Sequence, residues 1–233
     1  MKIKPEKRIY LNAHNTKIAR QFQRELWKFF ERRCLLKMDK IDLIAGCDVS
    51  YRRDKARACV CIYSFKRKKI IEEICIEEKI SFPYIPTFLS FREAPPLISA
   101  IEKIKSKPEL YIFDGQGLAH PLRMGLATHM GCLLEKPTIG FAKSHLYGVF
   151  EEPPNIKGAY TFLKTESGEI IGAVLRTRKD TKPVFASIGW GVDVAFVIDI
   201  IMELVSRYKI PDILRRADYL TKNRRKNDKG TCS

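Results

Sequence analysis

The order of segments constrains this chain most. Three strand-like stretches come first, residues 41 to 49 (IDLIAGCDV), 57 to 65 (RACVCIYSF) and 70 to 80, with only a few residues between them. Connections that short leave no room for a crossover, so the three pair as antiparallel neighbours. The pattern then switches to alternation. A helix is predicted over 94 to 105, where Pro95 and Pro96 suit a first turn and Leu97, Ile98, Ile101 and Ile104 form one face. A strand follows at Leu110 to Phe113, then a helix around 121 to 133 and a strand from Thr138 to Ala142. Further strands are expected at 159 to 164, 169 to 177 and 183 to 188, before a helix from about Asp193 to Tyr208. Near the start, Asn15 is a good N-cap for a helix carrying Ile18, Phe22, Leu26 and Phe29. Antiparallel strands leading into helix–strand alternation predict an α/β fold, a mixed β-sheet with helices on both faces in a single domain over residues 1–220. Residues 221–233, TKNRRKNDKGTCS, hold almost no apolar side chain and read as a basic flexible tail.

The charge balance narrows the partners. Lys and Arg number 43 against 27 Asp and Glu, a net charge of +16. A field of that size draws polyanions, and nucleic acid is the first of them. No stretch approaches the ~20 apolar residues of a membrane span. The N-terminus, MKIKPEKRIYLNAHN, lacks the apolar run of a signal peptide. These features point away from the membrane and toward the cytoplasm, with a monomer as the default. The seven cysteines are odd in number, scattered, and free of any CxxC pair. They read as small buried hydrophobes in a reducing compartment.

Three carboxylates stand in suspicious places. Asp48 closes one apolar strand and Asp114 another, the latter ahead of Gly115-Gln116-Gly117. Open α/β sheets bind ligands beyond the carboxyl ends of their strands, so neighbouring strands would bring both acids to one crevice. Glu93 stands at the entrance to the intervening helix and could face the same crevice. Singly, each has an ordinary explanation as a turn or solvated residue. Together they repel one another, and hard divalent cations such as Mg²⁺ relieve that repulsion. Two such ions ~4 Å apart can activate water and stabilise a leaving phosphate oxygen, which suits phosphodiester hydrolysis.

The motifs around these acids resemble the endonuclease V family, inosine-directed nucleases with an RNase H-like fold. Phe82 to Glu93, FPYIPTFLSFRE, is similar to its PYIPGxLxFRE motif, and Asp114 to Pro121, DGQGLAHP, to its DGQGxAHP motif. Pro137 to Ser144, PTIGFAKS, resembles PTIGVAKS, and Gly46 to Tyr51 resembles GxDxSY. The resemblance implies that Asp48, Glu93 and Asp114 bind Mg²⁺, or Mn²⁺, and are catalytic. Lys143 would contact the scissile phosphate or orient water. Tyr84 would be the wedge that fills the gap of a flipped base. Leu89, Gly115, Gly117, His120 and Gly140 would build the base pocket, the glycines letting backbone approach the base. The implied reaction cuts the second phosphodiester 3′ of inosine in DNA, or RNA, in DNA repair, leaving a 3′-hydroxyl and a 5′-phosphate.

Some positions depart from that pattern. Thr87 stands where the family has Gly, and Leu122 replaces an Arg. Trp190 stands where the resemblance implies a His close to the metal, and Trp can neither bind metal nor shuttle a proton. Asp193, three residues on, is the expected substitute. Arg52, Arg53, Lys55, Arg57 and the basic turn at 66 to 69 are candidate phosphate contacts, or else solvated edge charges. The alternatives to the main reading are an inosine-RNA ribonuclease, another RNase H-like nuclease, and an inosine-binding protein with weak or lost catalysis.

Overall fold

Eight strands form one sheet in the order β3-β2-β1-β4-β5-β8-β7-β6. The structure is a computed structural model that describes residues 2–223. The antiparallel unit is β1 (Leu43–Arg52), β2 (Lys55–Ser64) and β3 (Lys69–Lys79). The alternating part supplies β4 (Leu110–Asp114) and β5 (Thr138–Ala142), both parallel to β1. The remaining strands, β6 (Tyr160–Lys164), β7 (Ile170–Leu175) and β8 (Val184–Trp190), pair antiparallel and join the sheet through β5. The expected mixed α/β sheet is therefore present.

Two helical layers cover it. On one face lie α2 (Leu89–Glu102) and α3 (Leu126–Leu134), with α1 (Thr16–Leu26) packed outside α3. On the other lie α4 (Val194–Leu204) and α5 (Asp212–Lys222). Strand alternation sorts the side chains between two cores. Ala45, Cys47, Val60 and Tyr111 meet α2 and α3, while Ile44, Cys61, Ile112 and Phe141 meet α4 and α5. Among the described residues no helix is long and apolar enough to cross a membrane.

Three differences from the sequence reading matter for the site. First, α2 begins at Leu89, not near residue 94, so Pro95 and Pro96 lie inside it. Neither can donate to the carbonyl four residues back. Burial of Phe91, Ala94, Leu97, Ile98 and Ile101 outweighs that local penalty. Second, α5 was not anticipated, although Ile213, Leu214, Ala217 and Leu220 recur at helical spacing and are buried. Thr221 and Lys222, expected to begin the tail, instead form the last turn of this helix, and residues 224–233 lie outside the described residues. Third, α4 stops at Leu204, short of Tyr208.

The cysteines also need correction. Cys59 and Cys75 are register partners on β2 and β3, their Cα atoms 4.2 Å apart, and they form a disulfide. Cys34, Cys47 and Cys132 are free thiols. Nothing in the sequence spacing singles out this pair, because the strand register creates it. Alkylation of the denatured, unreduced protein is expected to label two fewer thiols than alkylation after reduction, read by intact mass. Equal labelling would refute the disulfide. Closing a loop of 16 residues contributes about 3 kcal/mol in the chain-entropy account.

Candidate active site

The pairing of β1 with β4 ends at Cys47↔Phe113. Asp48 and Asp114 are the next residues on each strand, so both leave the parallel pair at the same level. β1 itself runs on to Arg52 in a ribbon with β2, so Asp48 lies within the strand rather than closing it. Asp48 shares the α5 side of the sheet with Ile44 and Gly46. A side chain at Gly46 would strike Ile213, so its glycine lets α5 settle onto β1.

Glu93 arrives from the opposite face. It sits in the second turn of α2, not at its entrance, and is 7% exposed. Tyr51, near the end of the β1–β2 ribbon, donates its hydroxyl to Glu93 Oε1 at 3.1 Å. Arg92 stacks over the same tyrosine ring. Burial, reinforced by Asp48 and Asp114, pushes the Glu93 carboxyl up to about 8. Burial likewise lifts Asp48 to about 7, helped by the charges of Asp114 and Asp218. Lys143, just past β5, reaches Asp114 Oδ2 at 2.8 Å.

Sequence reasoning missed Asp218. This residue of α5 lies close enough to act electrostatically on both Asp48 and Lys143. Thr221, one turn on, ties the helix to the site. Its hydroxyl lies 3.2 Å from Asp48 Oδ2 and 2.8 Å from the Asp218 carbonyl. The available signal was the amphipathic spacing of α5, which would have placed Asp218 on a helix rather than near a tail.

Trp190 and Asp193 are elsewhere. Trp190 pairs with Thr138 at the start of β5, the end of that strand away from the carboxylates. Its indole donates to the Phe29 carbonyl at 2.6 Å, and the ring packs in the α2–α3 core. Asp193 caps α4, accepting from the Phe196 amide at 2.8 Å. Neither belongs to the acid cluster, so the expected substitution of Asp193 for a missing His does not occur.

A cavity of about 360 Å³ adjoins the cluster, lined by Tyr84, Leu89, Glu93, Gly115, His120 and Met124 among others. That volume is at the small end for ligand pockets. Tyr84 is 67% exposed at its mouth. Gly117 and Gly140, expected to line the pocket, do not. A side chain at Gly117 would strike the Ile188 carbonyl, and one at Gly140 would strike the 115–117 backbone. These glycines let the loop lie flat across β5 and β8, and the Gly117 amide bonds Ser187 Oγ at 2.7 Å.

His120 joins the two loops of the pocket. Its Nδ1 accepts from the Leu122 amide at 3.1 Å, leaving the other nitrogen for the Thr87 backbone. Burial pushes its pKa down to about 4, so the ring is neutral at pH 7. Thr87 itself has φ 70, a left-handed conformation that a β-branched side chain resists. Thr87→Gly is expected to raise stability by about 1 kcal/mol in urea unfolding, as the strained side chain disappears. A loss of stability would show that Thr87 contributes contacts that exceed its strain.

The donors suit a hard divalent ion. Asp48, Glu93 and Asp114 offer only oxygen, and two of them are held above the ordinary carboxylate range by burial and mutual repulsion. Among the described residues no three such side chains converge tightly enough to hold an ion as they stand. The repulsion that spreads them is what a cation would remove.

Comparison with known proteins agrees with this architecture. The sequence profile of the family Endonuclease V matches residues 29–219. Endonuclease V of Kosmotoga olearia is 44% identical over 188 residues, 81% of this chain and 83% of that protein. The Bacillus subtilis Endonuclease V crystal structure superposes with a TM-score of 0.88 at 33% identity, covering 95% of this chain and 96% of that one. Endonuclease V of Ciona intestinalis, solved with a 24-mer DNA containing an inosine followed by a ribo-adenosine, gives 0.78 at 26% identity over 89% and 97%. The chain belongs to the Endonuclease V family and is an endonuclease that hydrolyses phosphodiester bonds.

Proposed function

We propose that this endonuclease recognises inosine, the product of adenine deamination, in DNA and hydrolyses the second phosphodiester bond 3′ of it. One observation carries the reading. The cavity beneath Tyr84 opens directly onto the acid cluster, with Glu93 shared by both. A base turned out of the helix can therefore be read beside the place where the backbone is cut. Tyr84, on a loop stiffened by Pro83 and Pro86, stands where it replaces the lost stacking. Leu89 and Met124 give the base apolar walls, while the neutral His120 and the Gly115 backbone supply its polar limits. Inosine pairs weakly, so it is extruded more cheaply than a normal base.

Mg²⁺ or Mn²⁺ held by Asp48, Glu93 and Asp114 would supply activation of water and charge relief at the leaving 3′ oxygen. Lys143, fixed by Asp114, presents a positive charge where the scissile phosphate lies. Tyr51 orients Glu93, and Thr221 orients Asp48. The products are a 3′-hydroxyl and a 5′-phosphate, and the role is repair of deaminated adenine. The reading calls for no second copy of the chain, and a monomer is the proposed state. Its nucleic-acid substrate supports the cytoplasm as the location, while the Cys59–Cys75 disulfide takes away the thiol argument for a reducing compartment.

The test is incision of matched oligonucleotides carrying inosine or adenine, as DNA and as RNA. Inosine-dependent nicking of DNA at the second phosphodiester supports the proposal. Preferential cutting of inosine RNA would redirect it to RNA, and equal cutting of unmodified duplex would overturn it. Tight binding without cleavage in Mg²⁺ and Mn²⁺ would leave only a binding protein.

The ion should also act on stability. Asp48 and Glu93 ionise at higher pH folded than unfolded, so the folded state holds the extra protons and stability falls as pH rises toward 8. A cation that binds the ionised pair removes this penalty. The rise in Tm on adding Mg²⁺ is expected to be several degrees at pH 8 and near zero at pH 5.5, by calorimetry. An equal rise at both values would mean that the ion binds elsewhere.

A further inference from the structure

Helix α1 lies outside the matched family segment, which begins at residue 29, yet it packs against the loops that build the base cavity. Gln23 is buried beneath it and reaches both loops of the base pocket. Its Nε2 lies 3.4 Å from the Thr87 carbonyl and 3.5 Å from that of Met124. The outer face of α1 carries Lys17, Arg20 and Arg24, with Lys28 in the turn just beyond it, all exposed. Spacings of three and four residues keep these cations on one side of the helix. Among the described residues none of the four forms an ion pair. The acid of that helix, Glu25, is engaged by Gln21 at 2.8 Å. The neighbouring Arg123 and Arg32 are different, since both pair with the carboxylate of Glu169.

A groove of about 380 Å³ runs between α1 and the 120–124 turn, lined by Arg20, Gln23, Arg24, Trp27, Leu122 and Arg123. Its floor is aromatic, for Trp27 stacks on Phe30 at 4.4 Å and lies beneath the Arg123 guanidinium. The 120–124 turn separates this groove from the base cavity, and the carboxylates lie on the cavity side. Arg20 and Arg24 are one turn apart, about 6 Å along the axis, a spacing suited to successive phosphates of one strand. Guanidinium groups fork onto phosphate oxygens, and unpaired cations in a row release counterions when a polyanion docks.

We propose that this groove holds the substrate strand on the 5′ side of the inosine, with Arg20 and Arg24 on its phosphates. The 5′ assignment rests on the proposed function, which puts the cut on the 3′ side, toward the carboxylates. The groove is then a grip that works through affinity and leaves the chemical step alone.

The experiment compares wild type with Arg20→Gln/Arg24→Gln. A control, Lys103→Gln/Lys107→Gln, removes the same charge near the end of α2, away from the crevice. Binding to unmodified duplex over a salt series comes first. The α1 variant should lose about 1.4–1.8 from the slope of log K against log salt, and roughly tenfold in affinity near 0.1 M, whereas the control keeps its slope. This arm does not depend on inosine recognition. Single-turnover incision then uses inosine DNA with long flanks, or with the 5′ flank cut to two nucleotides. Half-saturation for wild type should rise when the 5′ flank is removed. The α1 variant should start at the raised value and not rise further, with an unchanged rate at saturation. An unchanged salt slope, or a loss that follows the 3′ flank, would overturn the proposal. Absence of inosine preference in wild type would instead overturn the proposed function, while the salt arm still decides whether α1 grips nucleic acid.

Discussion

Asp48→Asn is expected to abolish most incision and, at the same time, to stabilise the fold. The single-turnover rate should drop by about 10³-fold or more, because a lost oxygen ligand to the ions forfeits several kcal/mol of charge stabilisation in the transition state. Stability should move the other way. The Asp48 carboxyl is held at about 7 by burial and by the charges of Asp114 and Asp218. A neutral amide feels none of that repulsion, and its oxygen still accepts from Thr221, which lies 3.2 Å from Asp48 Oδ2. The gain is greatest at pH 8, where the wild-type group is charged, and should be roughly 1–2 kcal/mol without added metal. For a domain of this size that is a rise of several degrees in Tm. The gain should vanish near pH 5, where wild type is protonated as well. Loss of both activity and stability would mean that Asp48 is a structural residue. Retained incision would remove it from the site.

Such opposed signs identify a functional residue more firmly than loss of activity alone. A residue that holds the fold together lowers both quantities when it is replaced. A residue kept for chemistry at the expense of the fold separates them.

How far the sequence could show this site depends on the kind of constraint. Asp48 and Asp114 were visible because a carboxylate at the end of an apolar run violates the local pattern. Whether β1 and β4 are neighbours stayed open in the sequence, and their parallel pairing is what brings the two acids together. Glu93 was seen but misplaced, because Pro95 and Pro96 signal a helix start and only tertiary burial overrides them. Gly117 and Gly140 were taken for pocket residues, since sequence shows that a glycine is needed but not what approaches it. In the fold it is protein backbone. Trp190 looked close to the metal on resemblance alone, while the register against Thr138 carries it to the far end of β5. The Cys59–Cys75 pair depends on the same kind of information, a register across β2 and β3 that composition cannot supply.

The residue least visible in sequence gives the second large effect. Asp218→Ala is expected to lower the single-turnover rate by about 10²-fold with little change in fold. Asp218 is the fourth acid of the crevice, and its charge reaches both Asp48 and Lys143. Its side chain also takes Lys222 Nζ at 2.6 Å, so removing it frees a cation as well as an acid. Two roles can be separated. If Asp218 only holds Lys222 or the end of α5, Lys222→Gln should reproduce the defect and extra Mg²⁺ should not help. If it adds negative charge that the ions need, Asp218→Ala should raise the Mg²⁺ concentration for half-maximal rate about tenfold or more, while Lys222→Gln leaves it near wild type. Asp218→Glu, which keeps the charge on a longer arm, should recover part of the rate. Asp218 lies close enough to Asp48 for its charge to raise that carboxyl, so an ion at Asp48 would also meet the charge of Asp218, which favours the second role. Wild-type rate and Mg²⁺ dependence in Asp218→Ala would confine the reactive acids to Asp48, Glu93 and Asp114.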